Sequence, residues 1–252
     1  TLIALRLKHP PRRVAPSVFS TNCHNTLNSL PPPLVVQEHD IKDAIKSFPA
    51  GSAGGVDGMR PQHLKDLTSV YTGDAGLRLV SRLTEFANLC LAGDIPTAIR
   101  PIFCGASLCA LTKKDGGIRP IAVGCTLRRL VAKTASKLVQ EKMTAKLAPI
   151  PLGFCVKQGT EAAAHAARRF LRDMQPGQAL LKLDFVNAFN AISRDEILRT
   201  FREELPEFYP FISTCYSSSS HLCFDEFLIS SEEGAQQGDP LGPLLFCAAA
   251  QK

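Results

Sequence analysis

Leu180-Leu-Lys-Leu-Asp184-Phe-Val-Asn-Ala-Phe189-Asn190 decides the reading of this chain: an apolar run of strand character delivers one carboxylate and then turns at once into a helix. An Asp at a strand end is also a common helix cap or turn former, so Asp184 acquires meaning only from what accompanies it. Further along comes Gly234-Ala-Gln-Gln237-Gly238-Asp-Pro240-Leu-Gly-Pro243-Leu-Leu-Phe246, a glycine- and proline-punctuated turn feeding an apolar helix. An ordinary Gly-Pro loop would explain that punctuation but not the whole string.

Composition sets wide bounds around these segments. The chain has 252 residues, 45% of them hydrophobic and 21% charged, enough apolar material for one large domain or two small ones. Its longest uninterrupted apolar stretch, near Leu244 to Ala250, falls well short of the roughly 18 to 20 residues that cross a bilayer, so no membrane span is expected. Residue 1 is Thr and no basic-then-apolar leader follows, so both ends read as cut. The nine cysteines are odd in number and mostly embedded in apolar strings. They read as small buried hydrophobes of a reducing, intracellular compartment, cytoplasm or nucleus, and Cys104-x4-Cys109 lacks the partners of a zinc site.

The net charge of +6 is unevenly placed. Residues 1–33 hold Arg6, Lys8, Arg12 and Arg13 and no acid, and Lys113 to Lys146 is a second basic block, opposed only by Asp115 and Glu141. Two such blocks suggest a polyanionic partner, nucleic acid first.

Along the chain, residues 1–35 read as a proline-rich basic arm or linker without sustained period. Amphipathic helices are expected over Val36 to Phe48 and around Leu79 to Cys90, the latter stopped by Gly93. Between them Ala50 to Met59 is too glycine-rich for an element. Residues 107–124 predict a hairpin turning at Asp115-Gly116-Gly117. A long helix follows from Leu127 to Leu147, with Leu127, Leu130, Val131, Thr134 and Leu138 as its buried stripe. On another face Arg129, Lys133 and Lys137 line up at four-residue steps. Further helices are expected over Gly159 to Met174, with Thr160 as a candidate N-cap, and after Ser193-Arg-Asp-Glu196, a capping box. One strand is expected at Leu180 to Asp184 and another at Leu222 to Ser230. Helices mixed with hairpins, without regular alternation, predict an α+β fold.

The two opening segments, in that order, resemble motifs A and B of reverse transcriptases, especially those of non-LTR, LINE-type retrotransposons. The hairpin Lys113-Lys114-Asp-Gly-Gly-Ile-Arg119-Pro120-Ile121 resembles their fingers segment, Gly54-Gly55-Val56-Asp57-Gly58-Met59 a short motif upstream of it, and Gly153 to Glu161 the stretch before motif A. The match departs at Gly242, where many relatives carry Ser. The resemblance implies a right-hand polymerase fold, with fingers over 36–178 and part of the palm over 179–252. It also implies magnesium-dependent (or manganese-dependent) addition of deoxynucleoside triphosphates to a DNA primer on an RNA template.

In that scheme Asp184 is the catalytic carboxylate and metal ligand. Arg119 grips the triphosphate through paired donors, with Lys113 and Lys114 as mobile point charges. Phe185, Phe189, Gln237 and Gly238 line the nucleotide pocket, Phe189 as a steric gate against a 2′-hydroxyl. Arg129, Lys133 and Lys137 track the template backbone, although the same row would serve as a solvated helix face. The family's later acidic motif, paired aspartates on a palm hairpin, is not in these residues. The fold is therefore expected truncated before that hairpin, and the isolated chain is expected to polymerise at background. A catalytically inactive, nucleic-acid-binding remnant of a retrotransposon is the alternative. An RNA-dependent RNA polymerase is weaker still, because an aromatic at 189 would exclude its substrate.

Overall fold

A computed structural model describes residues 1–13, 30–148, 151–154 and 156–251. In chain order the helices and strands used below are α1 (Leu2–Lys8), α2 (Glu38–Lys46), α3 (Pro61–Leu67), α4 (Gly73–Leu91), α5 (Arg100–Phe103), β1 (Ala106–Thr112), β2 (Ile118–Gly124), α6 (Thr126–Leu147), α7 (Gly159–Asp173), α8 (Ala188–Ala191), α9 (Arg194–Glu204), α10 (Tyr209–Tyr216), β3 (Ser220–Phe224), β4 (Phe227–Ser231) and α11 (Gly242–Ala250). Helix and sheet are mixed without regular alternation, in keeping with the α+β expectation.

The sheet runs β2-β1-β3-β4. β1 and β2 form the expected antiparallel hairpin, from Ala106 opposite Gly124 to Thr112 opposite Ile118. Its turn closes through the Lys113 N–H on the Gly117 carbonyl (2.7 Å), with Gly116 at φ +78, a conformation open to glycine. β1 pairs in parallel with β3, and β3 is antiparallel to β4. The single strand expected over Leu222 to Ser230 is thus two strands joined at Asp225-Glu226. No glycine marks that turn; Asp225 itself takes φ +49, which a short side chain able to bond its own backbone tolerates.

Most helices share one core. α2 packs on α4 and α6, α9 on α10 and α11, and α6 also meets α4 and α11. Ile41, Leu91, Leu130, Val131, Ile197, Phe201, Phe211, Leu244 and Leu245 are buried there. This core draws on residues from both sides of the 178/179 boundary expected between fingers and palm. The stripe of α6 is rotated from the expected one: Leu138 is exposed, while Ala135, Val139 and Met143 are buried. Gly93 stops α4 as expected. The Asp94 N–H reaches the Leu89 carbonyl and the Gly93 N–H reaches that of Cys90, with Gly93 at φ +79. α9 is capped at its start by Ser193, whose Oγ accepts the Glu196 N–H (3.3 Å). α7 begins at Gly159 as expected, but Gln158 rather than Thr160 occupies the N-cap position.

Two departures bear on the site. The arm is not irregular throughout: α1 lays Leu5 on a second apolar cluster with Ala106, Leu108, Ala122, Leu222 and Ile229 of the sheet. Leu2 and Leu5, three apart, supply the apolar face of this short helix. Second, Leu180 to Asp184 forms no strand. The stretch is extended but has no sheet partner among the described residues, and Leu181 and Leu183 are 77% and 68% exposed. Strand character in a sequence expresses apolar alternation; a strand also needs a neighbour to take its N–H and C=O groups.

Candidate functional site

The Gly234 to Leu241 loop is the best-held part of the site. At its start Gly234, at φ +70, lies so close to Asn190 that a Cβ would stand 2.4 Å from that residue's carbonyl oxygen. The Ala235 N–H then donates to the Phe189 carbonyl (2.8 Å), tying the loop to α8. Midway, the Gln237 carbonyl accepts the Ala122 N–H (2.7 Å) on the outer edge of β2. Gly238 follows at φ +116; a Cβ there would lie 2.6 Å from the Ala122 carbonyl oxygen and 3.4 Å from Ile121 Cγ2. Only glycine fits that approach. The Gln237 side chain has no hydrogen-bond partner among the described residues, and Gly238 is exposed.

Arg119 stands two residues before Ile121 on β2, so the two side chains project from one face, roughly 7 Å apart along the strand. The hairpin therefore presents Arg119 on the face that the Gly238 turn packs against. Lys113 and Lys114 occupy the hairpin turn and are exposed.

On the other side of the loop, Phe189 stacks on Phe246 of α11, ring centroids 5.1 Å apart and planes at 22°. Phe185 and Val186 are 71% and 85% exposed and, with Ala188, Ile192, Phe246 and Arg13, line an open apolar groove of about 400 Å³. Asn187, at φ +58, is held by a hydrogen bond from its Nδ2 to the Lys8 carbonyl (2.8 Å) and accepts one from Asn190 (3.2 Å). Asp184 is exposed on the extended run just before Phe185. Among the described residues no group of three or more His, Cys, Asp or Glu is arranged to hold a metal. A lone carboxylate still fits one role: magnesium bound through one or two protein carboxylates, with substrate phosphates and water completing its octahedron.

The row on α6 is largely engaged inside the protein. Arg129 Nη1 donates to the Ala53 carbonyl (2.7 Å) and its guanidinium lies 5.4 Å from the Phe48 ring centroid, while Lys133 Nζ sits 5.3 Å from the same ring. Burial lowers the Arg129 pKa. Lys137 is exposed and pairs with Asp43 of α2 at 3.1 Å. The row is thus not an open basic face, because Phe48, just past the end of α2, and the glycine loop take up its first two members. That loop is itself seated at the start of α6: a Cβ on Gly55 would meet the Cys125 backbone at 2.6 Å, and the Thr126 hydroxyl donates to the Met59 carbonyl.

Sequence reasoning missed the groups beneath the loop. Arg128, 2% exposed, is paired with Asp239 and donates through Nη1 to Gln236 Oε1 (3.1 Å) and the Cys104 carbonyl (3.2 Å). The Tyr216 hydroxyl donates to the same Asp239 oxygen (2.5 Å). Burial pulls the Arg128 pKa down, but Asp239 more than offsets it, and the net value stands well above that of ordinary arginine. Arg194, also fully buried, donates to the Gly234 and Ser218 carbonyls and the Ser231 hydroxyl and faces the Tyr216 ring at 5.3 Å. With mostly neutral acceptors its pKa is lowered by burial to about 10. The available signal was helical spacing: Arg128 stands three and seven residues before the buried Val131 and Ala135, so it shares their face rather than that of Arg129.

The chain belongs to the reverse transcriptase (RNA-dependent DNA polymerase) family, whose profile matches residues 111–252. It is similar to the retrotransposable element SLACS 132 kDa protein of Trypanosoma brucei gambiense, with 26% identity over 216 residues. That match covers 83% of this chain and 17% of the relative, so the chain spans less than a fifth of the protein it resembles. The motif resemblance to a retrotransposon reverse transcriptase is borne out at this level.

Proposed function

We propose that this chain is the fingers and upper palm of a non-LTR retrotransposon reverse transcriptase, a right-hand polymerase that adds deoxynucleotides to a DNA primer on an RNA template. One observation carries the reading: the Gln237-Gly238 turn is fastened to β2 at Ala122, beside the face bearing Arg119, and to α8 at Phe189, beside the groove of Phe185. Groups of three kinds needed by a nucleoside triphosphate therefore border one loop: a guanidinium, an amide and aromatic rings.

In this reading Arg119 takes the triphosphate oxygens through paired donors and Lys113 or Lys114 adds charge from the mobile end of a long side chain. Gly238 lets the backbone approach the base pair, Gln237 contributes its amide, and Phe189 underlies the sugar. Asp184 would hold magnesium, which when bound neutralises charge on the phosphates and the attacking oxygen. Lys137 meets the template backbone, and Arg129 and Lys133 support it. The chain works in a reducing interior, cytoplasm or nucleus, where the described cysteines remain the free thiols they are here. No helix among the described residues is long and apolar enough to cross a membrane.

The test is template-directed capture. The 252-residue chain, with a primer annealed to RNA and magnesium present, should retain the complementary deoxynucleoside triphosphate over the other three, and Asp184→Ala should abolish the preference. Retention of primer–template with indifference to all four nucleotides would favour the alternative, a nucleic-acid-binding remnant.

A further inference from the structure

We propose that Arg128 and Asp239 are positioning residues for the nucleotide pocket, acting only through the two-residue turn Gln237-Gly238. The inference rests on the polymerase reading and adds to it a pair of residues that no substrate touches.

Both side chains are sealed from solvent, at 2% and 1% exposure, so neither reaches a nucleotide. What they reach is the loop on either side of the exposed turn. On one side Gln236 is fixed at both ends of its amide: Oε1 accepts from Arg128 (3.1 Å), and Nε2 donates to the Cys104 carbonyl (2.9 Å) and to Ser220 Oγ of β3 (3.1 Å). On the other side Asp239 is held through both oxygens. Oδ2 receives Arg128 and the Tyr216 hydroxyl, and Oδ1 accepts the Leu241 N–H (3.0 Å), where the chain enters α11. The Asp239 N–H closes the turn onto the Gln236 carbonyl (3.1 Å). One guanidinium thus grips residues 236 and 239 together, and among the described residues Gln237 and Gly238 themselves are held by the Ala122 hydrogen bond and the close approach of Gly238 to β2. A turn bracketed so closely keeps one geometry; with one bracket gone, Gln237 and Gly238 would sample others, and bound geometry would have to be restored at each encounter.

A purely structural role predicts loss of stability without selective loss of nucleotide binding, so the experiment separates the two. The intact 252-residue chain is titrated with fluorescent mant-dATP in magnesium, on a primer whose RNA template presents uridine, and amide exchange is followed at residues 237–238. Asp239→Asn, nearly isosteric and still able to accept from Leu241, should weaken mant-dATP binding at least tenfold and speed exchange at the turn, with primer–template affinity unchanged. Arg128→Lys should retain part of the nucleotide affinity that Arg128→Met loses. Leu91→Ala, a core change in α4, supplies a matched loss of melting temperature and should leave nucleotide affinity alone. Should the charge variants fail to fold, Tyr216→Phe removes one hydrogen bond from Asp239 and should still weaken binding severalfold. Wild-type affinity in Asp239→Asn, or equal losses in Leu91→Ala, overturns the positioning role. A wild-type chain that holds no mant-dATP at all overturns the polymerase reading and this inference with it.

Discussion

Gly234 and Asn190 meet backbone to backbone: a Cβ on Gly234 would lie 2.3 Å from the Asn190 carbonyl carbon, with Gly234 at φ +70. The contact locks the start of the motif B loop to the end of motif A. Gly234→Ala adds a left-handed penalty of about 1–2 kcal/mol to a backbone clash of roughly 1–3 kcal/mol, and should destabilise by the sum in urea denaturation. Gly51 has a similar φ of +73 with nothing within 4 Å. Gly51→Ala should therefore show only the first contribution, and equal losses at the two sites would refute the close approach.

The buried ion pair makes a different prediction about stability. Arg128→Met leaves Asp239 without its charge partner and should cost about 3–5 kcal/mol. Arg128→Met combined with Asp239→Leu removes both charges, so it should recover much of that loss. A double variant as unstable as the sum of the singles would mean that the two groups do not interact.

Phe189, stacked on Phe246, is placed to test the choice of sugar. Phe189→Val should remove about 0.5–1.5 kcal/mol of ring stacking and bring the affinities for ATP and dATP toward one another. An unchanged preference for dATP in this variant would remove Phe189 from sugar selection.

His9 gives the arm a pH dependence. Burial lowers its pKa below the ordinary 6.5, with the Leu5 carbonyl opposing and Arg194 assisting. The unfolded chain therefore binds the proton more readily. Stability contributed by neutral His9 is complete above about pH 6.5 and is lost as pH falls from there through the folded value. Urea midpoints should drop between pH 7 and pH 5, and His9→Gln should flatten that slope. A slope identical in the variant would assign it to other groups.

The α6 row separates into packing and contact. Arg129→Ala should lower stability by about 1 kcal/mol through the lost ring contact, and Lys133→Ala by a similar amount. Lys137→Ala should leave the melt unchanged while reducing the salt slope of RNA binding by about 0.7. Equal effects of all three on melting, with none on RNA, would remove the template role.

Motifs with local causes were legible in the sequence. The β1–β2 hairpin follows from Asp115-Gly116-Gly117, the end of α4 from Gly93, and the start of α9 from Ser193, because each is fixed by residues within a few positions of one another. Features that depend on distant partners were not. Asp184 sits in a run with a strand's pattern, but pairing requires a neighbour that local pattern cannot supply. Arg128 reads as one more surface cation until Asp239, distant in sequence, is seen beside it. The β3–β4 turn was hidden because Asp225 does without glycine what turns often assign to it.

The uncovered run from Leu180 to Val186 alters how experiments at Asp184 should be interpreted. Extended backbone flanked by bare leucines invites strand pairing between copies, and Lys182 and Asp184 are the charges that interrupt it. Replacing Asp184 with alanine therefore removes a gatekeeper along with the carboxylate, so the inactive protein should aggregate sooner than its parent, most readily at high concentration. Asp184→Asn keeps polarity and shape but not charge, and Asp184→Glu keeps the charge but moves it. Comparing light scattering across the three separates loss of chemistry from loss of solubility.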